Sequence, residues 1–479
     1  MDHSRYEAVI GLEVHCQLDT KTKIFCSCPV DFGAPPNAHA CPVCAGLPGA
    51  LPVLNERAVA LAVSAALALD CRINLWSRFA RKNYFYPDLP KGYQITQFDH
   101  PLASGGGVEF DLEGETRRVD LIRIHMEEDA GKCLHEGSGG TSLVDLNRAG
   151  TPLIEIVGTP GLHSAAEAVA WLRSLHGTLV AIGVTRGNME EGNFRCDANV
   201  SVRKRASSAL GTRVELKNLN SFRFLGHAID YEIRRQIEAL EDGRGITQET
   251  RLWNVAQGRS EVMRDKEEAH DYRYFPEPDL KPLVLTADYV EDLRRRLPEL
   301  PRARAARFRD TYGLSPADVA VLTSSSKLAE FFERAARGSG NVKAVANWIM
   351  VDLVGALNRL GTDLEACAIR PEHIASLVKL LDEEVINNKM AKQIFGEMLA
   401  TGRDPAAIVQ ARGLRQVTDP VELSTMIDAL IEAHPSEWAQ LKGGKQKVMA
   451  FFVGRMMKAT KGRANPAQVN ALIKRKLSE

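Results

Sequence analysis

The sequence lacks the signatures that would assign its chemistry directly. Its 479 residues contain no GxxxxGK[ST] phosphate loop, no GxSxG nucleophile elbow and no Ser- and Gly-rich amidase signature. Position 2 is Asp, so trimming Met1 exposes no cysteine nucleophile. No apolar run reaches the ~18–20 residues of a membrane span, and no secretory leader is evident. We therefore expect a protein of the cytoplasm, in which any nucleotide binds without a phosphate loop.

Net charge is also absent, because 61 Lys and Arg balance 61 Asp and Glu. This balance excludes a uniformly basic nucleic-acid coat. The distribution is uneven, since residues 441–479 hold ten basic residues and a single acid. Such a stretch predicts contact with a polyanion, although a solvated charged surface is the alternative. The candidate contacts are Lys445, Lys447, Lys458, Lys461 and Arg463.

Hydrophobic periodicity divides the chain into a mixed part and a helical part. Helices are predicted at 56–69, 164–182 and 221–240, between strands joined by glycine turns. The proline-containing segment 293–301 predicts a linker, after which helices follow at 326–337, 342–360, 371–381 and 387–399. Gly402 to Pro405 predicts a second joint. We expect three domains, 1–292, 293–401 and 402–479.

Five predicted strands combine an apolar face with a charged one. The alternating polar residues are Glu13, His15 and Gln17; Arg123, His125, Glu127 and Asp129; Glu155; Arg195, Asp197 and Asn199; Glu215 and Lys217. Glu128 breaks the alternation, so the choice between Glu127 and Glu128 depends on this pattern alone. Carboxylates gathered with cations on one face favour Mg²⁺-dependent phosphoryl transfer. The alternative is that each strand has an ordinary solvated face.

The nine cysteines include four at metal-binding spacing. Cys26 and Cys28 form one close pair, and Cys41 and Cys44 form a second after a twelve-residue loop. Four thiolates in two pairs predict a tetrahedral, structural Zn²⁺ site, because four protein ligands leave no open position for catalysis. Four unrelated buried cysteines are the alternative. The pattern is typical of a reducing cytoplasm rather than a disulfide scaffold.

Aromatic and basic residues are interleaved in two segments, 81–91 and 271–279. Rings and cations together can stack on and pair with a terminal nucleotide. A buried aromatic loop is the alternative for each segment.

Nine motifs, in one order along the chain, closely resemble the B subunits of aspartyl/glutamyl-tRNA(Asn/Gln) amidotransferases. They are 10–15 (IGLEVH), 81–87 (RKNYFYP), 125–132 (HMEEDAGK), 143–148 (LVDLNR), 150–156 (GTPLIEI), 189–192 (MEEG), 195–199 (RCDAN), 215–221 (ELKNLNS) and 271–278 (DYRYFPEP). The resemblance covers essentially the whole chain. It implies an α+β fold, in which a cradle domain with a glutamine-synthetase-like antiparallel sheet precedes an all-α helical domain and a small all-α tail.

The resemblance also implies a ligase reaction in translation. The B subunit phosphorylates with ATP the side-chain carboxylate of Glu on tRNA(Gln) or Asp on tRNA(Asn), and ammonia displaces the phosphate. Ammonia comes from glutamine hydrolysed by an amidase A subunit, and a small C subunit completes the bacterial heterotrimer. The absent amidase signature agrees with this division of labour. No DNA and no membrane partner is expected, and which tRNA is used stays open.

Site residues follow from the same resemblance. It implies one Mg²⁺ held by His15, Glu127 and Glu155, and a second held by Glu13 and Asp197 with Glu127 shared. The family loses the four cysteines in some members, which favours a dispensable structural zinc. Our own candidates for phosphate or carboxylate contacts are Lys82, Arg195 and Lys217.

Three rival interpretations differ in the features they require. A related archaeal E subunit carries an inserted domain, for which residues 271–293 leave no room. A zinc-containing RNA-binding module without catalysis conflicts with five carboxylate-bearing strand faces, because carboxylates repel phosphates unless a metal intervenes. A free-standing ligase that acts on free glutamate would work without tRNA.

Overall fold

The computed structural model describes residues 5–134, 141–205, 207–265, 272–414, 416–417, 419–460 and 462–478. The chain divides into two compact units, Met1–Leu300 and Pro301–Glu479. The first unit contains the sheet and the candidate site. The second unit is helical.

The described part of the first unit combines seventeen strands with four helices. The strands are β1 (Tyr6–Gln17), β2 (Arg72–Ile73), β3 (Trp76–Ser77), β4 (Phe79–Asn83), β5 (Tyr93–Gln97), β6 (Ala103–Ser104), β7 (Gly107–Leu112), β8 (Glu115–Glu128), β9 (Lys132–Leu134), β10 (Leu143–Asp145), β11 (Pro152–Gly158), β12 (Phe194–Lys204), β13 (Val214–Lys217), β14 (Glu249–Asn254), β15 (Arg259–Asp265), β16 (Phe275–Pro276) and β17 (Leu283–Val284). The helices are α1 (Glu56–Ala68), α2 (Ala165–Ala181), α3 (Phe222–Glu241) and α4 (Ala287–Arg296).

One large sheet organises this unit, with the strand order β15-β14-β13-β12-β1-β11-β8-β5-β4-β16. Its central strand β1 buries Ile10, Leu12 and Val14 almost completely, whereas Glu13 and His15 alternate with them on the other face. The buried face packs with α1, α2 and α3 in one core. The polar face is therefore left for chemistry, as the alternation predicts.

Side-chain caps fix where the sheet-covering helices begin. The Ser164 and Ser221 hydroxyls accept hydrogen bonds from the backbone of Glu167 and Phe224, at the starts of α2 and α3. Asn55 caps α1 in the same way. The three helices predicted in this part of the sequence are confirmed to within one or two residues.

The sheet is mixed rather than antiparallel, which corrects the prediction in one place. Strands β13 and β14 pair in parallel, whereas the other pairs of described strands are antiparallel. The reason is the connection between them, since α3 carries the chain back along its own length before β14 begins. A helical crossover of this kind places successive strands in parallel.

The second unit consists of helices in its described residues. They are α5 (Pro301–Tyr312), α6 (Pro316–Leu322), α7 (Ser326–Arg337), α8 (Val342–Asn347), α9 (Val354–Leu360), α10 (Pro371–Asp382), α11 (Asn388–Thr401), α12 (Pro405–Arg412), α13 (Pro420–Ala433), α14 (Pro435–Lys442), α15 (Met449–Ala459) and α16 (Pro466–Ser478). A π-helical turn, Trp348–Leu353, joins α8 to α9. No helix in the described ranges is long and apolar enough to cross a membrane.

Helices lie at or beside both predicted joints. Helix α4 continues to Arg296, and Val290 and Leu293 pack into the core of the first unit, so the predicted linker at 293–301 begins inside a helix. Helix α12 follows Gly402, yet its Ile408 and Val409 share a core with α5 to α11. Residues of α13, α15 and α16 form a separate core. The predicted division into domains at 292/293 and 401/402 stays a prediction.

Candidate active site

Four strands align polar side chains in one row across the polar face of the sheet. The register places His15 of β1 opposite Glu155 of β11, and Glu155 opposite His125 of β8. On its other side His15 lies opposite Arg195 of β12. Directly opposite residues of antiparallel strands have Cβ atoms ~4.5–5.5 Å apart, so the register itself gathers these side chains.

Three of the predicted metal ligands meet at the centre of this row. The Nε2 atom of His15 lies 3.7 Å from a carboxylate oxygen of Glu127 and 3.5 Å from one of Glu155. The three ligand atoms lie within 4.8 Å of one another. An octahedral cation with bonds of ~2.1 Å separates adjacent ligand atoms by about 3.0 Å and opposite ones by about 4.2 Å. The cluster therefore fits a divalent cation such as Mg²⁺ after small shifts.

The structure separates the roles of Glu127 and Glu128. Glu127 accepts a hydrogen bond from the Thr96 hydroxyl at 3.1 Å and lies beside His15. Glu128 instead pairs with Lys91 and accepts the backbone N–H of Ile95. The alternation argument therefore selects the carboxylate that the structure places in the cluster.

His125 is a fourth member of the cluster that the sequence-based choice of ligands left out. Its Nε2 atom lies 3.4 Å from Glu155 and 3.8 Å from Glu127, and its side chain is 5% exposed. Burial disfavours its charged form, but hydrogen bonding to Glu127 and Glu155 outweighs burial and raises the pKa of His125 to about 9. The sequence signal for His125 was its position on the alternating polar face. Without knowledge of its contacts with Glu127 and Glu155, a buried histidine resembles a core residue.

Glu13 and Asp197, predicted for a second Mg²⁺, lie opposite each other on β1 and β12. They lie outside the three-residue group formed by His15, Glu127 and Glu155. Glu13 accepts a hydrogen bond from Asn199 at 3.0 Å. Burial, followed by the nearby carboxylates with Glu155 first, raises the pKa of Glu13. The two acids are thus neighbours of the cluster, where a second cation would relieve their repulsion.

Lys217, which is half-buried, neutralises two carboxylates. Its Nζ lies 2.5 Å from Asp197 and 3.0 Å from Glu215. Burial would lower the pKa of Lys217, but the charges of Asp197 and Glu215 hold it above its usual range. Glu215 was not among the predicted site residues, although it shares a strand face with Lys217. Its Oε2 atom accepts a hydrogen bond from the Thr250 hydroxyl.

Arg195 is held in place by a buried carboxylate. Asp129 lies 2.9 Å from its guanidinium and accepts a hydrogen bond of 2.8 Å from Gln17. Burial would raise the pKa of Asp129, but Arg195 and Arg148 hold it below its usual range. Asp129 is 5% exposed, so it orients Arg195 beside His15. Sequence alternation included Asp129 without assigning it this role.

The two aromatic and basic segments meet at one edge of the sheet, where β16 pairs with β4. We call residues 272–279 the tyrosine strap. Lys82 lies 4.8 Å from the ring centre of Tyr272 and 5.8 Å from that of Tyr84. Tyr274 stacks on Phe98, with ring centres 3.9 Å apart and planes at 3°. Asp271, which opens the predicted segment, lies outside the described residues.

A buried ion pair fastens the tyrosine strap to the sheet. Arg81 of β4 donates two hydrogen bonds to Glu277, at 2.8 and 2.9 Å, and a third to Asp279 at 3.0 Å. The Glu277 side chain is 0% exposed, whereas that of Asp279 is 35% exposed. The bidentate geometry holds the strap against β4.

The four predicted cysteine ligands converge. The Sγ atom of Cys44 lies 3.7 Å from those of Cys26 and Cys41 and 3.9 Å from that of Cys28. A tetrahedron with Zn–S bonds of ~2.3 Å has S···S edges of about 3.8 Å. The thiols are free rather than paired in disulfides, so the four sulfurs fit a tetrahedral metal ion.

A cavity of about 1000 Å³ opens beside the cluster. Its lining includes Gln17, Arg195, Arg148 and the segment 30–34. Asn220 and Ser221, at the start of α3, also line it. The cavity thus connects the metal-binding row with the cysteine-containing loop.

The predicted basic contacts lie near the end of the chain, in the second unit. Lys445, Lys447, Lys458 and Arg463 are at least partly exposed. Lys461 lies outside the described residues. Exposure leaves the four described residues available to a polyanion, and no contact in the structure tests that role.

Comparison with known proteins gives a consistent result along the chain. A family model described as the GatB/GatE catalytic domain matches residues 8–291, and one described as the GatB domain matches residues 330–477. A protein of Syntrophotalea carbinolica is 52% identical over 475 residues, with 99% of each chain covered. One of Carboxydothermus hydrogenoformans is 51% identical over 477 residues, again with 99% of each covered. Both are named as the B subunit of an aspartyl/glutamyl-tRNA(Asn/Gln) amidotransferase.

Proposed function

The chain belongs to the B-subunit family of the aspartyl/glutamyl-tRNA(Asn/Gln) amidotransferases, and we propose that it activates the side-chain carboxylate of a mischarged aminoacyl-tRNA with ATP. The substrates are Glu-tRNA(Gln), Asp-tRNA(Asn) or both. The products are Gln-tRNA(Gln) and Asn-tRNA(Asn), which makes the chain part of a carbon–nitrogen ligase of translation.

The observation that carries this proposal is the cluster of His15, Glu127 and Glu155 on the open face of the sheet. Phosphoryl transfer needs cations around the transferred group, and carboxylates with an imidazole are suitable ligands for Mg²⁺. A bound Mg²⁺ supplies Lewis-acid stabilisation of charge on the phosphate oxygens. Glu13 and Asp197 are the candidates for a second ion.

The proposed reaction has two steps, formation of an acyl phosphate and its displacement by ammonia. A side-chain carboxylate oxygen attacks the γ-phosphorus of ATP, the bond to ADP breaks, and an acyl phosphate forms. Ammonia then attacks the acyl carbon, phosphate leaves, a proton is lost, and an amide remains. Arg195, oriented by Asp129, supplies fixed positive charge beside His15 and suits one of these anions. Lys217 forms ion pairs with Asp197 and Glu215, so we assign it the role of neutralising these carboxylates rather than that of contacting substrate.

The aminoacyl end of tRNA is proposed to approach over the sheet edge at β4 and β16. An unpaired terminal base can stack on Phe98 or Tyr274. Lys82, 4.8 Å from the ring centre of Tyr272 in the same strap, is the candidate contact for a phosphate. The basic residues Lys445, Lys447, Lys458 and Arg463, together with Lys461, are proposed to contact the tRNA body through phosphates.

Ammonia is proposed to come from another chain. This sequence carries no amidase signature, and its relatives are named as subunits of an amidotransferase. An amidase A subunit and a small C subunit would complete a heterotrimer in the bacterial cytoplasm. Free thiols at all nine cysteines suit a reducing compartment. The four-cysteine cluster is proposed to bind a structural Zn²⁺.

The test is amidation by the chain assembled with A and C partners. The complex receives ATP, Mg²⁺, ammonium chloride and either Glu-tRNA(Gln) or Asp-tRNA(Asn), and the amino acid released on deacylation is identified. We expect Gln or Asn only when ATP is present, with ADP formed in equal amount. A complex that binds tRNA but forms neither product would favour a non-catalytic RNA-binding role. Amidation of free glutamate without tRNA would favour the free-standing ligase.

A further inference from the structure

The cysteine loop, defined here as residues 23–44, contains a lysine that is 1% exposed. The Nζ atom of Lys23 contacts three acceptors, the His39 carbonyl at 2.7 Å, the Leu146 carbonyl at 3.0 Å and the Cys44 sulfur at 3.2 Å. An ammonium group has three N–H donors, and here all three are used. Lys23 therefore joins the cysteine cluster directly to the loop that follows β10.

Charge explains why the lysine is stable at this position. In the described part of the chain, no carboxylate forms an ion pair with Lys23, and its two oxygen acceptors are neutral carbonyls. A buried ammonium is costly without a negative partner. Four thiolates around a divalent ion carry two negative charges in excess, and Cys44 brings that charge within 3.2 Å. Lys23 thus suits a metal-loaded cluster.

The loop after β10 is bound to the cysteine loop along its length. Asn147 accepts the backbone N–H of His39 at 2.8 Å and donates to the carbonyls of Ala34 and Pro35. The Asn37 backbone N–H donates to Asp145, and the Asn37 side chain donates to the carbonyl of Val144. These bonds hold the two loops together. A change in the shape of the cysteine loop would therefore displace the loop after β10.

This pair of loops forms a wall of the 1000 Å³ cavity beside the metal-binding row. The wall includes Phe32, Asn147 and Arg148, and Arg195 also lines the cavity. Arg148 is held by the carbonyls of Ala130 and Gly131 and lies 3.7 Å from Asp129, which also orients Arg195. Displacement of this wall would change the shape and charge of the cavity.

We propose that the cysteine cluster positions this cavity wall for substrate binding and that Lys23 is the positioning residue that links metal occupancy to it. The inference rests on the proposed function, because the substrate is the ATP or aminoacyl-tRNA of that reaction. Metal loading then sets substrate affinity in addition to local stability. The effect appears in KM rather than in kcat, since Lys23 touches no reacting atom.

The experiment compares Lys23→Met with Lys21→Met in the assembled amidotransferase. Met retains length without charge, and Lys21, two residues away and exposed, is a matched control. Metal affinity is measured by chelator competition and by the thiolate absorption of a Co²⁺-substituted cluster. KM and kcat are measured for ATP and for aminoacyl-tRNA. In Lys23→Met we expect metal affinity to fall about 10–100-fold. The KM for ATP or the KM for aminoacyl-tRNA should rise at least about fivefold, while kcat is retained. Saturating Zn²⁺ should refill the cluster of Lys23→Met without restoring the KM, because the contact that links the metal to the wall is missing.

Wild-type enzyme stripped of metal by a chelator tests the same link if Lys23→Met fails to fold. The same rise in KM, reversed by Zn²⁺, supports the proposal. Unchanged KM in metal-free wild-type enzyme overturns it, as does unchanged metal affinity in a folded Lys23→Met variant. Wild-type enzyme that forms no amidated tRNA would instead refute the proposed function, which separates the two failures.

Discussion

Replacing Glu277 by Gln should release the tyrosine strap while leaving the sheet folded. Glu277 is fully buried and binds Arg81 through two hydrogen bonds. Removing one charge of a buried pair typically costs ~3–5 kcal/mol. Arg81 is 18% exposed and keeps its bond to Asp279, so we expect the lower end, about 3 kcal/mol. The cost falls mainly on the docking of residues 272–279.

A loss of about 3 kcal/mol corresponds to roughly a hundredfold lower docking constant for the strap. Because substrate affinity falls with the fraction of the competent state, the KM for aminoacyl-tRNA should rise by up to about two orders of magnitude. The assay is initial-rate amidation, combined with hydrogen exchange of the peptide that contains Tyr272 and Tyr274. The KM for ATP should change much less.

The same arginine provides an internal control, since Asp279 is partly exposed. Asp279→Asn removes a solvent-screened partner and should cost no more than about 1 kcal/mol. We therefore expect Glu277→Gln to affect exchange and KM far more than Asp279→Asn. If the two variants were equivalent, or if Glu277→Gln left both quantities unchanged, the strap would not depend on the buried pair.

Three further outcomes follow from the site. Glu127→Gln should lower ATP-dependent amidation at least about 100-fold, because it weakens a metal ligand. Glu128→Gln removes the ion pair with Lys91 and should retain activity. Equal losses of kcat in the two variants would contradict the assignment of Glu127. Phe98→Ala should raise the KM for aminoacyl-tRNA by about 5–100-fold, as expected for ~1–3 kcal/mol of base stacking; an unchanged KM would exclude Phe98 as a stacking surface. Changing Lys445 and Lys447 to Ala should reduce the slope of log affinity for tRNA against log salt by about 2, and an unchanged slope in filter binding would remove them from the interface.

Alternation along each strand was sufficient to predict the polar face. Alternation placed His15, Glu127 and Glu155 on that face, and the family resemblance selected them as metal ligands. The four cysteines from Cys26 to Cys44 were identified by their spacing. The pairing between strands cannot be predicted from alternation in the sequence. The register that brings His125 opposite Glu155, and the salt bridges that commit Lys217 to Asp197 and Glu215, depend on long-range contacts. The parallel β13–β14 pair likewise depends on where α3 returns the chain.

The overlap between the predicted linker and helix α4 has a different cause. The arginine run and nearby prolines at 293–301 resemble a solvated joint, but Val290, Leu293 and Leu297 recur at helical spacing and pack against the first unit. A short apolar stripe among charges is a weak signal locally, and only its partner, α1, makes it a buried face. Phe98 was overlooked for a similar reason, because its stacking partner Tyr274 is distant in the sequence.

The positions of the Lys and Arg side chains indicate why the centre of the row suits an exchangeable metal cation. Lys217 lies between Asp197 and Glu215, and Arg195 pairs with Asp129. Among the ion pairs of the described residues, Glu127 and Glu155 contact only imidazoles, those of His15 and His125. A permanent Lys or Arg at the centre would neutralise these carboxylates but would also occupy the space of a divalent ion and its phosphate ligand. Imidazoles are themselves metal ligands when neutral, so they can share the centre with a cation that arrives with substrate.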